Sequence, residues 1–501
     1  MTYFHRRTIL RNIIFSTVLL AIFYLLLSIP ISGPQLLHVE HSAIARPFIW
    51  NQDARWDSLE MRYASLRSAG CDTIRHALDT SFQNFAELLT HIETDSLIPT
   101  APEFSRLEEQ FFSLAPLVGA CPQRVPDYLA LASRMRQALK NQSKHWNMNE
   151  RTTRESLYRL LYGERSAVEE VILQLPPDQY PPALLMGTNE LSATPSATLL
   201  GVTIHSGDIL VSRGGAPTSA LIARGNDFPG NFSHIAVAHV DSASGNISII
   251  ESHIERGVAI ATVENYLRDT KLRVMVLRPR SDLPALVRDP LLPERAASFI
   301  LRRARSRHIP YDFSMDYTDT TKLFCSEVAS SAYKPFGVDL WMGMSYISSP
   351  GLRSLLADFG VSHFETQEPS DLEYDPQLTV VAEWRDVETL RKDHIDNAVT
   401  DAILEEADRG MRLSYNRYML PVARTVKIYC AALNVFGIEG PIPEGMAATS
   451  ALKNKFYTSR HTKIAAVVQK DAEQFKYDHG FDPPYWELLR MARKATKNIF
   501  Y

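Results

Sequence analysis

The stretch Lys322-Leu323-Phe324-Cys325-Ser326-Glu327-Val328-Ala329 decides both the fold and the chemistry of this chain. After it, apolar residues recur at helical spacing, at Val328, Ala329, Ala332, Tyr333 and Phe336. The pattern predicts that Cys325 lies in the first turn of a helix that packs on a sheet. Free backbone N–H groups and the positive end of the helix dipole favour a thiolate there. We interpret Cys325 as a nucleophile, the alternative being a buried structural thiol.

A thiol nucleophile needs a base close by, usually a histidine that a third polar group orients. His234 opens a predicted strand, 234–240, with the sequence HIAVAHV. Alternation along a strand places His234 on the same face as Ala236 and Ala238, whose small side chains leave room for a helix end and a substrate. His234 is therefore the candidate base, and a histidine satisfied in the core is the alternative.

Glu251 is the candidate third member of the site. It ends the next predicted strand, 246–252, after a turn at 241–245. If Val240 pairs with Gly245, antiparallel register places His234 opposite Glu251, and a shift of one residue would place it opposite Ser252. A solvated carboxylate at a strand end is the alternative, and His253 remains a rival base.

The segments around this site alternate in character along the chain. β-rich segments lie at 208–212, 234–240, 246–252 and 272–278, and helices are predicted at 294–307 and from Cys325 onward. Helical periodicity dominates from Trp56 to Leu175 and again after Pro350. The predicted fold class is α+β, a small antiparallel sheet plus helices flanked by helical domains. The predicted boundaries are 1–35 for an anchor, 36–195 for a helical domain with a proline-rich linker, 196–360 for the catalytic domain and 361–501 for a helical C-terminal region.

The N-terminus carries the pattern of a membrane anchor. Arg6, Arg7 and Arg11 precede an uncharged apolar run, Ile13–Ile31, which is close to the ~20 residues that a membrane-crossing helix needs. The positive-inside rule then places the bulk of the chain outside the cytoplasm. We expect a single transmembrane helix in a bacterial inner membrane, with a periplasmic body, and a cleaved signal peptide is the alternative.

Composition narrows the classes of partner and cofactor. The chain has 501 residues, 45% hydrophobic and 22% charged residues and a formal net charge of −4, which argues against a nucleic-acid binder. It contains no paired CxxC, GxxxxGK[ST] or GxGxxG motif, so neither a metal nor a nucleotide cofactor is expected. A zinc site made of His234, Glu251 and Cys325 is a weaker alternative. Cys71 and Cys121 lie in the segment after the apolar run, where an oxidising compartment would allow them to pair.

Five motifs in order also resemble a known family. They are Gly207-Asp208-Ile209-Leu210, Ser233-His234-Ile235, Ile250-Glu251-Ser252 with Gly257-Val258, Pro310-Tyr311-Asp312-Phe313 and Phe324-Cys325-Ser326-Glu327. The segment from Leu199 to Leu356 is similar to the YiiX/YaeF-type hydrolases, circularly permuted relatives of the NlpC-type cell-wall peptidases in the papain-like superfamily. The resemblance implies a papain-like fold in which the histidine strand precedes the cysteine helix. It also implies that Cys325 is the nucleophile, His234 the base and Glu251 the third member.

Together these features predict a cysteine hydrolase that cuts an amide, ester or thioester through an S-acyl intermediate at the outer side of the cytoplasmic membrane. The expected substrates are peptidoglycan peptides or lipid and lipoprotein acyl groups, and the expected membrane contact is through the N-terminal helix. A catalytically inactive papain-like scaffold or binding protein of the cell envelope is the alternative. The tail from Val381 to Tyr501 is expected to contribute no catalytic residue.

Overall fold

The computed structural model describes residues 2–29, 46–50, 52–436 and 438–500. Its centre is a seven-stranded antiparallel sheet in the spatial order β1-β11-β8-β4-β5-β6-β7. The strands are β1 (Leu184–Met186), β4 (Ile209–Gly214), β5 (His234–Val240), β6 (Ile247–His253), β7 (Gly257–Thr262), β8 (Lys271–Pro279) and β11 (Leu378–Arg385). Two small antiparallel pairs lie beside it, formed by β2 (Ser196–Leu199) with β3 (Val202–His205) and by β9 (Ser345–Tyr346) with β10 (Glu365–Thr366). The molecule is thus α+β, with a sheet and many helices.

Five helices follow the N-terminal segment and form a bundle. Their bounds are α2 (Asp53–Ala69), α3 (Cys71–Thr94), α4 (Pro102–Gly119), α5 (Val125–Ser143) and α6 (Arg151–Leu173). Gly70 separates α2 from α3 and has a φ of 80°, a conformation that glycine adopts without steric cost. The apolar residues of α3 are buried along one face, and Leu78, Phe85 and Leu89 are fully enclosed. Cys71, at the start of α3, forms a disulfide with Cys121, just after α4.

Both faces of the sheet are covered, as its apolar strands require. One face packs on α10 (Leu292–Ser306) and α11 (Cys325–Tyr333) through a core that includes Ile235, Val237 and Val328. The other face carries Ala236, Ala238 and Ile249. Short helices complete this region: α7 (Pro217–Arg224), α8 (Val263–Arg268), α9 (Pro284–Arg288) and α12 (Pro350–Ala357). The sheet takes β1 and β11 from outside the predicted catalytic segment 196–360.

The C-terminal region is helical from Val387 onward, whereas β10 and β11 lie within the segment 361–501 that the sequence predicts to be helical. It contains α13 (Val387–Asp408), α14 (Leu420–Val435), α15 (Ala448–His479) and α16 (Tyr485–Phe500). Of these, α13, α15 and α16 share a core with α12 that includes Val399, Ile403 and Ile464. Cys430 is a free, fully buried thiol on α14, next to Ile442 and Met446, which agrees with the packing role that its apolar sequence context suggests.

The predicted transmembrane helix is wrong. The N-terminal helix α1 runs from Thr2 to Leu27, and nowhere in the described residues is there a helix with the length and apolarity to cross a membrane. The physical reason is where the helix ends. Its apolar part, from Ile13 to Leu27, spans roughly 22 Å at ~1.5 Å per residue, short of a ~30 Å hydrocarbon layer. Pro30 and Ile31, the end of the apolar run, lie outside the described residues.

A buried network of charges joins the helical bundle to the sheet and to the C-terminal region. Arg273 on β8 contacts Glu169 on α6 at 2.6 Å and Asp393 on α13 at 2.6 Å. Arg165 on α6 contacts Glu373 and Glu383 at 2.5 Å each. All of these side chains are almost completely buried, so each charge depends on a partner contributed by another part of the chain.

Candidate active site

Cys325 is the first residue of α11, as the sequence predicts. The Glu327 carboxylate accepts the backbone N–H of Phe324 at 2.8 Å, which caps the start of the helix. The Cys325 side chain is 4% exposed. Its own backbone N–H is one of the free N–H groups of a first helical turn, so a donor for a developing negative charge lies beside the sulfur.

The sulfur occupies the point where β5 and β6 separate. The ladder between these strands ends at the pair Ala236 and Glu251, so the backbone of residues 233–235 has no β6 partner. The Cys325 Sγ lies 3.9 Å from the carbonyl oxygen of Ser233, and the backbone N–H of Ile235 donates to it. The sulfur is thus held against the backbone on both sides of His234.

The loop before α11 is hydrogen-bonded to β6 and β7, close to the point where β5 and β6 separate. The Ser252 hydroxyl on β6 donates to the carbonyl oxygen of Leu323 at 2.6 Å. Val258 on β7 donates its backbone N–H to the carbonyl oxygen of Ile309 at 2.9 Å. Both contacts fix the position of the first turn of α11 relative to β5 and β6, the strands that carry His234 and Glu251.

Glu251 lies between two histidines. Nε2 of His234 donates to Oε2 of Glu251 at 2.8 Å, and Nε2 of His253 contacts Oε1 at 2.9 Å. The His234 and His253 rings are 5.6 Å apart between centroids. With Nε2 of His234 bearing the proton, Nδ1 is its basic nitrogen. Because both oxygens of Glu251 accept from imidazoles, the group orients bases rather than offering a ligand set for zinc.

The predicted strand register is wrong, although the predicted contact forms. Ala236, not His234, lies opposite Glu251, and Val240 pairs with Ile247 rather than with Gly245. The turn between β5 and β6 therefore spans residues 241–246 rather than 241–244. The backbone N–H of Asp241 donates to the carbonyl oxygen of Asn246 across it. The error is two residues, and a shift of two residues preserves the face of the sheet. His234 therefore reaches Glu251 as a diagonal neighbour.

Burial controls protonation at this site. It raises the pKa of Cys325 to about 12, in spite of the N–H of Ile235, and the nearby Glu368 acts in the same direction. Burial also lowers the pKa of His234 from its usual value, although Glu251 opposes this. Burial alone would raise the pKa of Glu251, but its bonds to His234 and His253 hold it below the usual range. The expectation of a lowered thiol pKa is therefore wrong, because desolvation outweighs the helix start.

Glu368 is a neighbour of the site that sequence reasoning missed. It is 3% exposed, and its Oε2 has no hydrogen-bond partner among the described residues. Burial, together with Asp371, raises the pKa of this carboxyl group well above the usual range. Burial raises the pKa of the Tyr311 hydroxyl well above its usual value. Electrostatic interactions with Cys325 and Glu368 raise this pKa further. No sequence signal points to Glu368, because only the fold brings it to α11.

The remaining polar candidates have structural partners. Asp208 binds the guanidinium of Arg278 at 2.7 Å through both oxygens and caps the strand start at the N–H of His205. His239 lies on the other face of β5, where its Nε2 is 3.2 Å from the Ser298 hydroxyl on α10. Both side chains therefore have structural roles.

Comparison with known proteins adds one match. Residues 203–382 match the family model described as "Permuted papain-like amidase enzyme, YaeF/YiiX, C92 family". Searches among curated proteins and among solved structures returned no match. The matched segment runs from β3 into β11 and contains Cys325, His234 and Glu251. Over residues 203–382 the chain is therefore similar to the YaeF/YiiX (C92) family of permuted papain-like amidases, a family of hydrolytic enzymes.

Proposed function

We propose that this protein hydrolyses an amide bond through an S-acyl enzyme, with Cys325 as nucleophile, His234 as base and Glu251 as the group that orients the base. The observation that carries the proposal is the position of the Cys325 sulfur against the backbone on both sides of His234, whose imidazole is held by the buried Glu251 carboxylate. Esters and thioesters are accessible to the same chemistry.

The resting pair is a neutral thiol and a neutral imidazole, because burial disfavours both charged forms. The sulfur attacks the substrate carbonyl as its proton moves to Nδ1 of His234, which makes an S–C bond and a tetrahedral oxyanion. The Cys325 backbone N–H stabilises that oxyanion. His234 then returns the proton to the leaving nitrogen, the C–N bond breaks, and the S-acyl enzyme remains.

Deacylation follows the same route in reverse. Water enters, His234 takes a proton from it, and the hydroxide adds to the acyl carbon. The C–S bond breaks as the proton returns to sulfur, so the acid product leaves and the thiol is restored. The ionised Glu251 stabilises the imidazolium in both halves, as the third group of such a site does.

For the substrate we propose a peptidoglycan peptide first, because the matched family is described as an amidase, and a lipid or lipoprotein acyl group second. We place the body of the protein in the bacterial cell envelope, outside the cytoplasm. The Cys71–Cys121 disulfide supports this compartment, since disulfides persist chiefly where thiols are oxidised.

The test is incubation of the full chain with purified peptidoglycan and, separately, with an envelope lipid extract, followed by mass analysis of the products. New amine and carboxylate ends in the peptide would support amide hydrolysis, and free fatty acid would support the acyl substrate. Acid quenching should trap a protein species heavier by the acyl group, absent in Cys325→Ala and present in Cys430→Ala. Turnover that persists in Cys325→Ala would refute the mechanism.

A further inference from the structure

A cavity lies where the helical bundle meets the C-terminal helices, and it is separate from the candidate active site. Its volume is about 360 Å³, and α2, α4, α6, α13 and α16 form its walls. That volume is in the range of small-molecule sites. Its lining includes none of Cys325, His234 and Glu251.

Aromatic rings form much of this wall. Trp56 stacks on Trp486 at 5.6 Å between centroids and lies 5.9 Å from Trp50. Tyr158 stacks on Tyr162 at 5.0 Å, and Trp50 lies 5.8 Å from Tyr162. The faces of tryptophan and tyrosine rings carry negative potential and attract cations.

Two buried acceptors in the lining have no hydrogen-bond partner within the described part of the chain. They are Oε2 of Glu170 on α6 and Oδ1 of Asn397 on α13. The other Glu170 oxygen accepts the backbone N–H of Tyr485 at 2.9 Å. The indole N–H of Trp50 is also unpaired, but as a donor it offers nothing to a cation. Buried acceptors left without a donor are costly, so the cavity is suited to a ligand that brings N–H groups.

The cations around this cavity are already neutralised. Arg224 makes two bonds of 2.8 Å to Asp401, Arg493 binds Glu405 at 2.7 Å, and Arg490 binds Asp57 at 2.6 Å. His394, which also lines the cavity, lies 3.0 Å from Glu169 and 3.8 Å from Oε1 of Glu170. An anionic ligand would therefore meet cationic groups that already have partners, and the unpaired Oε2 of Glu170. The electrostatics favour a cation.

We propose that this cavity binds a primary ammonium ion with a short apolar body, the ammonium group donating to Glu170 and Asn397 and the body lying on the Trp56 and Tyr162 rings. Two unpaired acceptors favour a primary ammonium over a quaternary one, because a quaternary nitrogen has no N–H to donate. The site adds a ligand-binding function to the protein and does not depend on the hydrolytic mechanism.

Affinity should depend on pH in a defined direction. Burial raises the pKa of Glu170 to about 7. The groups that face it are His394 on α13, Tyr485 on α16, Glu169 on its own helix and Glu60 on α2. The cation needs the ionised carboxylate, so affinity should be full above this pKa and fall as the pH drops through about 7. An alkylammonium group stays charged throughout, since its pKa is ~10.

The experiment is calorimetry and tryptophan fluorescence on the full chain with n-hexylammonium, and with n-hexanoate, n-hexanol and trimethylhexylammonium as probes of charge and N–H donors. Hexylammonium should bind and shift the emission of the tryptophans, and the other three should bind at least about tenfold more weakly, as loss of a charge-assisted hydrogen bond predicts. Glu170→Gln should weaken hexylammonium binding by a similar factor. Glu473→Gln, the same change at an exposed position on α15, should leave it unchanged.

Asn397→Leu provides a second variant if Glu170→Gln fails to fold, and circular dichroism checks both. The proposal is overturned if hexylammonium fails to bind at millimolar concentration. It is equally overturned if hexanol, hexanoate or the quaternary ion binds as tightly, or if folded Glu170→Gln and Asn397→Leu both bind like the wild type.

Discussion

At the scale of single residues, the proposed mechanism uses a thiol that stays protonated until it reacts. Burial raises the pKa of Cys325 to about 12 and lowers that of His234, so no stable thiolate–imidazolium pair forms at neutral pH. Nucleophilicity therefore depends on proton transfer within the attack itself, which makes the position of His234 decisive. Glu251 fixes that position, and His253 holds the second oxygen of Glu251.

Substitution of the three proposed residues should separate their roles. Cys325→Ala and His234→Ala should each abolish measurable turnover, because one removes the bond-forming atom and the other the proposed acceptor of its proton. Glu251→Gln should lower kcat by about 10- to 100-fold, since the neutral amide still contacts the ring but stabilises the imidazolium less. Initial rates on the substrate identified by product analysis measure this. Cys430→Ala is the matched control and should retain wild-type kcat.

The pH profile of kcat/KM should show one acid limb and no alkaline limb within the stable range. His234 must be neutral to act as base, and its folded pKa lies below the usual ~6.5. Activity should therefore rise with pH through a value under 6.5 and then stay level, because the thiol pKa of about 12 lies beyond the plateau. Steady-state rates from pH 4 to 9.5 measure this. An acid limb above pH 7 would contradict the assignment.

The residues of the site were predictable from the sequence to different degrees. Cys325 and His234 stand at the start of strongly patterned elements, so period and position were enough to place them. Glu251 was predicted through a register that is off by two residues, and its contact with His234 still forms because side chains alternate with a period of two. Glu368 and the His253 contact depend on tertiary packing, which no local pattern encodes.

At the scale of elements, the turn between β6 and β7 sets the position of the chain that leads to α11. Gly257 has a φ of 70°, and a Cβ built on it would lie 2.1 Å from the carbonyl oxygen of Ile309. The chain therefore packs against this glycine with no room for a side chain. Gly245 has nearly the same φ, 71°, but a Cβ there would meet nothing within 4 Å.

Paired substitutions at these glycines isolate the effect of the contact. Gly245→Ala should cost ~1 kcal/mol of unfolding free energy, the cost of a left-handed conformation alone. Gly257→Ala should cost at least ~2 kcal/mol more, because overpacking shifts the neighbouring backbone, and it should also lower kcat. Denaturant unfolding and initial rates measure both. Equal costs in the two variants would show that the Ile309 contact does not constrain the site.

The helices and strands whose apolar residues recur with one clear period were predicted well from the sequence. The elements without such a period were missed. The helices α3, α10 and α13 and the strands β5, β6 and β8 follow their sequence patterns to within a few residues. β7 and β11 were missed, because β7 is half exposed at the sheet edge and β11 lies in a stretch with helical signals around it. The N-terminal helix was predicted too long in its apolar part, since hydropathy does not locate a helix end.

At the scale of the whole molecule, the three regions are held together by buried charge as well as by apolar contact. Arg273 at the sheet receives one carboxylate from the bundle and one from the C-terminal region, Glu169 and Asp393. Removal of either carboxylate would leave part of a buried guanidinium charge uncompensated, which typically costs several kcal/mol.

Asp393→Asn should therefore lower the unfolding free energy by ~3–5 kcal/mol. Glu93→Gln, which removes the half-exposed pair with Arg134 on the bundle surface, should cost less than ~1 kcal/mol. Calorimetry of the full chain measures both. If the two variants unfold alike, the buried network does not hold the regions together.

The Cys71–Cys121 disulfide also affects whether Cys325 stays a free thiol as the chain folds. Cys71 and Cys121 are the first two of the four cysteines in the sequence, and chains fold from the N-terminus as they are made. In a compartment that oxidises thiols as the polypeptide enters, these two meet and are consumed before Cys325 arrives. Cys325 is then synthesised after the two earlier cysteines have paired, so neither of them can form a disulfide with it. The order of synthesis would then favour the Cys71–Cys121 pair over any pair that includes Cys325.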